Sequence, residues 1–246
     1  MAVHYGKEYL AYAVKSLAAA VDEVHIFYAN EPSFGHRDWS MTCPDTEEEL
    51  VAEANRFAKV VWHNIEAGSE AVHRNLMLAE ASRFDATTMA IADADEVWSP
   101  IALCKSLEHV ENANRAGRWL AHFHNFWRSW KWTVRDHFTP IRIVDLRHSL
   151  GIDEHLHAAQ SEPIYHFGYA QTLATMAYKF SCHGHKSEFK PGWYEDKFIG
   201  WSASNNNDLH PCINNFWIAE QTPGHVLDRL AQLMPDHPHR DLDIIS

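Results

Sequence analysis

Over its first hundred residues the chain alternates short apolar runs with longer segments of helical periodicity. That alternation restricts the folds open to it more than any other feature. "AVHY" is a very short apolar start. "KEYLAYAVKSLAAAV" follows, with Leu10, Val14, Leu17 and Val21 at helical spacing. "EVHIFYA" reads as a strand, and "NEPSFGHRDWSMTCP" as a polar loop with Pro and Gly punctuation. Asp45 or Thr46 can cap a helix with the stripe Leu50, Val51, Ala54, Phe57 and Ala58, and Glu48 or Glu49 stands at the capping-box position. "KVVWH" is a strand, "GSEAVHRNLMLAEASRF" a helix capped by Ser69, and "TTMAIA" a strand. Strands alternating with helices over short links predict an α/β fold with a parallel sheet and crossover helices. Ligands of such sheets bind outside the carboxyl ends of the strands. There the sequence runs "MAIADADEVWSP", so Asp93, Asp95 and Glu96 arrive at that edge.

The second half changes pattern. After the helix "SPIALCKSLEHVENANRAG", the segments "RWLAHFHNFWRSWKW" and "PIRIVDL" read as antiparallel strands. "EPIYHFGYA" is a strand leading into the helix "QTLATMAYKF", with stripe Leu173, Met176, Ala177 and Phe180. From Trp201 the chain is rich in Asn, Asp, Pro and His and reads as loops over a surface. There is no internal repeat and no clear linker, so one domain over residues 1–246 is expected.

Composition narrows the function classes. A formal net charge of −12 opposes non-specific binding to polyanions. Cys43, Cys104, Cys182 and Cys212 are widely spaced with no CxxC, which reads as thiols in a reducing compartment. No apolar run approaches the roughly 18 residues of a membrane span, and the start lacks a signal-peptide core. The expected location is cytoplasmic.

The pair Asp93-x-Asp95 admits two explanations. The acids are a solvated loop ahead of the helix start Ser99-Pro100, or they are oxygen ligands of the kind that suits Mg²⁺ or Mn²⁺. An ion held there could neutralise a departing diphosphate.

At these residues the chain resembles a known group. "VDEVHIFYA", "HRNLMLAEA" and "MAIADADEVWSP" are similar to the nucleotide-sugar half of GT-A-type, family-2-like glycosyltransferases. "YHFGYAQ", "YKF" and "HGHKSEF" resemble the distal part of a bacterial and phage subgroup. The likeness spans roughly residues 3 to 215. It implies a Rossmann-like, mostly parallel sheet flanked by helices, with residues 1–100 as the nucleotide-sugar half and 101–246 as an antiparallel acceptor-side extension. It implies metal binding by Asp93 and Asp95, with Asp93 also at the sugar diphosphate. Arg74 and Asn75 would lie near the nucleotide, and His4, Tyr5 and Gly6 would form the loop at base and ribose. The donor would be a nucleotide-diphosphate sugar, a UDP-sugar first, and the acceptor a glycan or a phage-modified nucleic-acid base. One departure is plain. "FYANEPSFGH" stands where many members carry an acid cluster after the second strand, which puts the base contact in question.

Four His-x-His pairs, His122/His124, His155/His157, His183/His185 and His237/His239, keep a zinc hydrolase open as a rival, although none sits in HExxH. In the transferase reading His183 and His185, then His166, are candidates for a further metal ligand, and Lys186 for a phosphate contact. "HFHNFWRSWKW" is either a core strand or an aromatic acceptor wall with Arg128, Lys131 and Arg135 gripping an anionic acceptor. The base of an inverting transfer is sought among Asp136, Asp153, Glu154 and Glu188, with Asp153 or Glu154 favoured. A non-catalytic sugar-binding module on a degenerate transferase fold is the third possibility.

Overall fold

The computed structural model describes residues 1–32, 41–66, 68–113, 117–147, 155–157, 160–182 and 186–239, with the backbone alone at 70, 155–157 and 186. It is a mixed α/β structure. Strands β1 (Ala2–Val3), β2 (His25–Tyr28) and β3 (Val61–Asn64) make a parallel sheet in the order β1-β2-β3. Helix α1 (Lys7–Ala18) joins the first pair and α2 (Glu47–Ala54) the second. Leu10, Val14 and Leu17 of α1 are buried as their spacing requires. Tyr9, Tyr12 and Ala13 are buried too, because α1 lies between two cores and is covered nearly all round. Thr46 and Glu49 form a reciprocal capping box at the start of α2. Asp45, the alternative cap, turns the other way. Its carboxylate accepts the N–H groups of Gly6 (2.7 Å) and Lys7 (3.1 Å) at the start of α1. Phe57 falls beyond the end of α2 and is 42% exposed, so the expected stripe is shorter than its spacing suggested.

Beyond α3 (Glu70–Arg83), capped by Ser69 as expected, come β4 (Thr88–Ala90), β5 (Glu96–Val97) and α4 (Pro100–Asn112). Next are β6 (Arg118–Leu120), β7 (Phe123–Trp127), β8 (Ser129–Val134) and β9 (Ile141–Asp145). Then come β10 (His155–His157), β11 (Ile164–Tyr169), α5 (Leu173–Ser181), β12 (Ala219–Gln221) and α6 (Gly224–Leu233). They form a sheet of order β10-β6-β9-β4 and another of order β12-β8-β7-β11-β5.

The expected parallel series therefore ends at β3, and β4 pairs antiparallel with β9. A parallel neighbour needs a long crossover; β9 instead returns from the second half of the chain in the opposite direction. Contact with the first sheet survives as one parallel bridge, Ala2 to Asp93.

The tryptophans of the aromatic stretch are core, while Phe123 and Asn125 near its start line a cavity. Trp119, Trp127 and Trp130 are 4%, 0% and 1% exposed. Arg128 does not face an acceptor. It occupies the β7–β8 turn at φ 59, is buried, and donates to the carbonyls of Phe198 (3.1 Å) and Trp201 (3.3 Å). Arg135 is paired with Glu220 at 3.2 Å. In α5, Met176 and Phe180 are buried, but Leu173 is 37% exposed because it stands at the helix start.

Residues past Trp201 are not only surface loops. β12 extends the β8 edge, and α6 buries Val226 and Leu230. His237 stacks on Tyr9 at 4.4 Å and bonds the Glu8 carbonyl at 2.9 Å. His237 and His239 are 3% and 8% exposed, so this pair is a core element. Burial pushes the His237 imidazole down to about 3 and His124 down to about 4. Both take up protons more readily in the unfolded chain, so the stability they contribute is full above the ordinary histidine value and is lost as pH drops from about 6.5 toward 3. Thermal melts are expected to give a Tm that declines steadily below pH 6.5, with a shallower decline in His237→Gln. An acid limb identical in wild type and variant would show that His237 does not contribute. Among the described residues no helix is long and apolar enough to cross a membrane.

Candidate functional site

Sheet register builds the centre of the site. Glu96 on β5 pairs with His166 on β11, and His166 pairs with Asn125 on β7. The three side chains fall in one row across the sheet, and His166 Nδ1 bonds Asn125 Oδ1 at 2.6 Å. An amide oxygen only accepts, so Nδ1 carries the proton and Nε2 keeps its lone pair. Nε2 lies 3.8 Å from Asp95 Oδ1. Burial pushes the His166 ring down to about 4, which keeps it neutral at neutral pH.

The acid loop is held from several sides. The Phe167 N–H donates to the Asp95 carbonyl at 2.8 Å. Gln171 Nε2 donates to Asp95 Oδ2 at 2.9 Å, and Lys179 Nζ stands 3.7 Å from the same oxygen. Asp93 bonds Arg142 at 2.8 Å and Arg74 at 3.3 Å. Arg142 also grips Glu96 through Nε (3.0 Å) and through its Nη2. Glu96 is fully buried. Two carboxylates thus share one guanidinium, and the pair splits. Arg142 and Arg74 hold Asp93 well below the usual carboxylate range, while burial pushes Glu96 up to about 8. The acids that close the β4 segment therefore stand among cations that arrive from α3, β9 and α5.

Two cavities meet here. The smaller, about 280 Å³, is lined by His4, Tyr5, Gly6, Asp93, Asp95 and Lys179, among others. His4 Nδ1 donates to the Ala29 carbonyl at 2.8 Å, so its Nε2 accepts from the Tyr178 hydroxyl at 2.6 Å. Tyr5 meets the Tyr178 ring edge-on at 5.5 Å. Gly6 has φ 108, and a Cβ there would lie 3.1 Å from that of Ala94, so only glycine lets α1 start this close to the acid loop. Gln171 is 1% exposed and lines the same cavity. Its Nε2 is committed to Asp95, and its buried Oε1 has no hydrogen-bond partner. The larger cavity, about 890 Å³, holds Arg74, Asn75, Asn125 and Arg142 on its wall. Asp93 and His166 line both.

Of the residues expected from sequence, His4, Tyr5, Gly6, Asp93 and Asp95 come together around the smaller cavity, and Arg74 and Asn75 border the larger. Asp153, Glu154, His183 and His185 lie outside the described residues, and of Lys186 only the backbone is described. Asp136 and Glu188, the other two base candidates, both line the larger cavity. Lys179, Gln171, Asn125 and Arg142 carried no signal for the sequence reading. They become site residues through contacts 76 and 49 positions away, as with Gln171 to Asp95 and Arg142 to Asp93.

Among the described residues no three His, Cys, Asp or Glu side chains gather to hold a metal ion. The donor set present is smaller, the Asp95 carboxylate and the bare Nε2 of His166. One carboxylate with one imidazole suits Mn²⁺ or Mg²⁺ that keeps waters and takes further ligands from a diphosphate. It does not make a closed zinc cage.

Gly168 gives a local test. A Cβ there would fall 2.6 Å from His166 Nε2 and 3.2 Å from Lys179 Nζ. Gly168→Ala must displace one of them, at a cost of roughly 1–3 kcal/mol for overpacking. The expected result is a folded protein with a lower Tm and an altered His166 resonance in imidazole NMR. An unmoved His166 signal would show that the strand gives way instead.

Compared with known proteins, the chain matches no protein-family model, and no curated protein matches it.

Proposed function

We propose that the protein is a glycosyltransferase of GT-A type, moving a sugar from a nucleotide-diphosphate sugar to a hydroxyl acceptor. The observation that carries this reading is the junction of two cavities at Asp93 and His166, with Asp95 on the smaller one. A two-substrate transfer needs such a junction, with a donor on one side and an acceptor on the other. The order β3-β2-β1, continued to the acid loop by the Ala2–Asp93 bridge, supports a Rossmann-like donor half.

In this reading His4 and Tyr5 present aromatic edges and faces to the base and ribose, with Tyr178 buried behind them. Gln171 Oε1, buried and without a partner, accepts a donor hydroxyl or amide N–H. Asp95, with His166 Nε2, would hold Mn²⁺ or Mg²⁺, and the ion would supply charge stabilisation to a departing diphosphate. Lys179, on the smaller cavity beside Asp95, is the cation placed to meet the phosphates, and Arg74 stands at Asp93 on the junction. Such fixed charges act where negative charge develops.

The proton of the acceptor hydroxyl goes to a carboxylate on the larger cavity's wall. Asp136 is the better placed of the two described there. It is half-buried, and its Oδ1 is fixed by the Phe138 N–H at 3.0 Å, which leaves Oδ2 to work. Asp136→Asn is expected to lower acceptor transfer by about 10²–10⁴-fold, measured as saccharide product per unit time, while donor binding persists. Transfer within a few-fold of wild type would remove Asp136 from this role.

The reading is tested by incubating the protein with a panel of UDP-, GDP-, ADP- and dTDP-sugars, with Mn²⁺, Mg²⁺ or chelator, and assaying released nucleotide. Slow metal-dependent consumption of one donor is expected. No consumption of any donor with either ion would overturn it.

A further inference from the structure

We infer that the larger cavity takes a neutral oligosaccharide acceptor, packed at its mouth on Phe138; this rests on the transferase reading for the reaction, though not for the binding. The cavity is about three times the volume of its neighbour. At about 890 Å³ it is at the upper end of ordinary ligand pockets and has room for roughly two or three sugar rings.

The wall chemistry selects the class. Phe123, Phe138, Tyr169 and Trp217 supply aromatic surface. The C–H faces of a pyranose pack on such rings, and no charge is needed for it. Between them stand Asn125, Asp136, Glu188 and Asn215, planar groups that bond hydroxyls. A lipid tail would leave these groups without partners, at a cost for each. A polyanion fares no better. Of the three arginines on this wall, Arg74 and Arg142 are engaged with Asp93 and Glu96, and the third, Arg118, is outweighed by the carboxylates of Asp136 and Glu188. The whole chain carries a net charge of −12. A neutral, polyhydroxylated ligand is what remains.

The mouth is unusual for a surface. Phe138 is 67% exposed and itself lines the cavity. A large aromatic side chain left open to solvent on a cavity wall is suited to bind a ligand there.

Saturation-transfer NMR tests this without any donor present. The probes are neutral oligosaccharides of two to four residues (gluco-, galacto- and N-acetylglucosamine-based), a hexuronic-acid trimer, a single-stranded DNA 12-mer and neutral phosphatidylcholine vesicles. The structure predicts that a neutral oligosaccharide binds, and that Phe138→Ala weakens it about tenfold. Ile101→Ala, 61% exposed on α4 and outside both cavities, should leave it unchanged. Binding of the DNA, the acidic trimer or the vesicles in place of neutral saccharides would overturn the inference. So would binding of none of the probes, or saccharide binding indifferent to Phe138→Ala. Oligosaccharide binding by a protein that consumes no donor would instead sink the transferase reading and leave this site standing.

Discussion

Arg142→Met is expected to cost about 3–5 kcal/mol of stability, the largest effect of any single change outside the apolar core. Arg142 is 7% exposed and is the cation shared by Asp93 and the fully buried Glu96. Removing it strips the buried Glu96 carboxyl of the donors that position it and leaves Asp93 with Arg74. Glu96, pushed up to about 8, is mostly protonated at neutral pH, so what it loses is hydrogen bonds to a buried polar group. The double change Glu96→Leu with Arg142→Met removes both polar partners, and replacing a buried pair by apolar groups of similar size is often close to neutral. It should therefore be clearly more stable than Arg142→Met alone. Urea denaturation of wild type, both singles and the double measures the coupling. Additive losses would show that the pair does not work as a unit.

Asp95→Asn is the counterpart for activity. Asp95 is the better probe of the two acids, because Asp93 is tied into the Arg142 and Arg74 network and its loss would disturb the fold. The amide is the same shape, and its oxygen can still accept from Gln171 Nε2. What it loses is the charge that offers a site to a divalent ion and balances Lys179. Donor consumption is expected to fall at least 10²-fold, the scale seen when one electrostatic contact to developing charge is removed. The Tm should stay within a few degrees. Retained turnover in Asp95→Asn would mean that the acids serve only as counter-ions to the cations around them.

The parts legible in the sequence are those set by neighbours in the chain. The α1 stripe, the Thr46–Glu49 box and the Ser69 cap are each decided within one or two helical turns. So was the delivery of Asp93 and Asp95 to the end of a strand. The loop His4–Tyr5–Gly6 joined them through resemblance, and the smaller cavity does bring these residues together. What escaped is non-local. The antiparallel β4–β9 pairing depends on the direction from which residue 141 returns, and nothing near residue 88 encodes that. The aromatic run read equally well as wall or core because its alternation fits both. Burial of Trp127 and Trp130 follows from packing by residues past 180 and past 225. His237 and His239 are held in the core by Tyr9 and Glu8, which no spacing near residue 237 encodes. Arginine at 142 carries no motif, and its meaning comes from Asp93 and Glu96, 49 and 46 positions earlier.

The central claim is that Asp95 and its cavity hold a nucleotide-diphosphate donor together with a divalent ion. Isothermal titration of the donor panel into the wild-type protein, in Mn²⁺ and then in chelator, tests it most directly. The account predicts that one nucleotide sugar binds with Mn²⁺ and at least tenfold more weakly in chelator. Equal affinity in both, or no binding of any donor with the ion present, would contradict it.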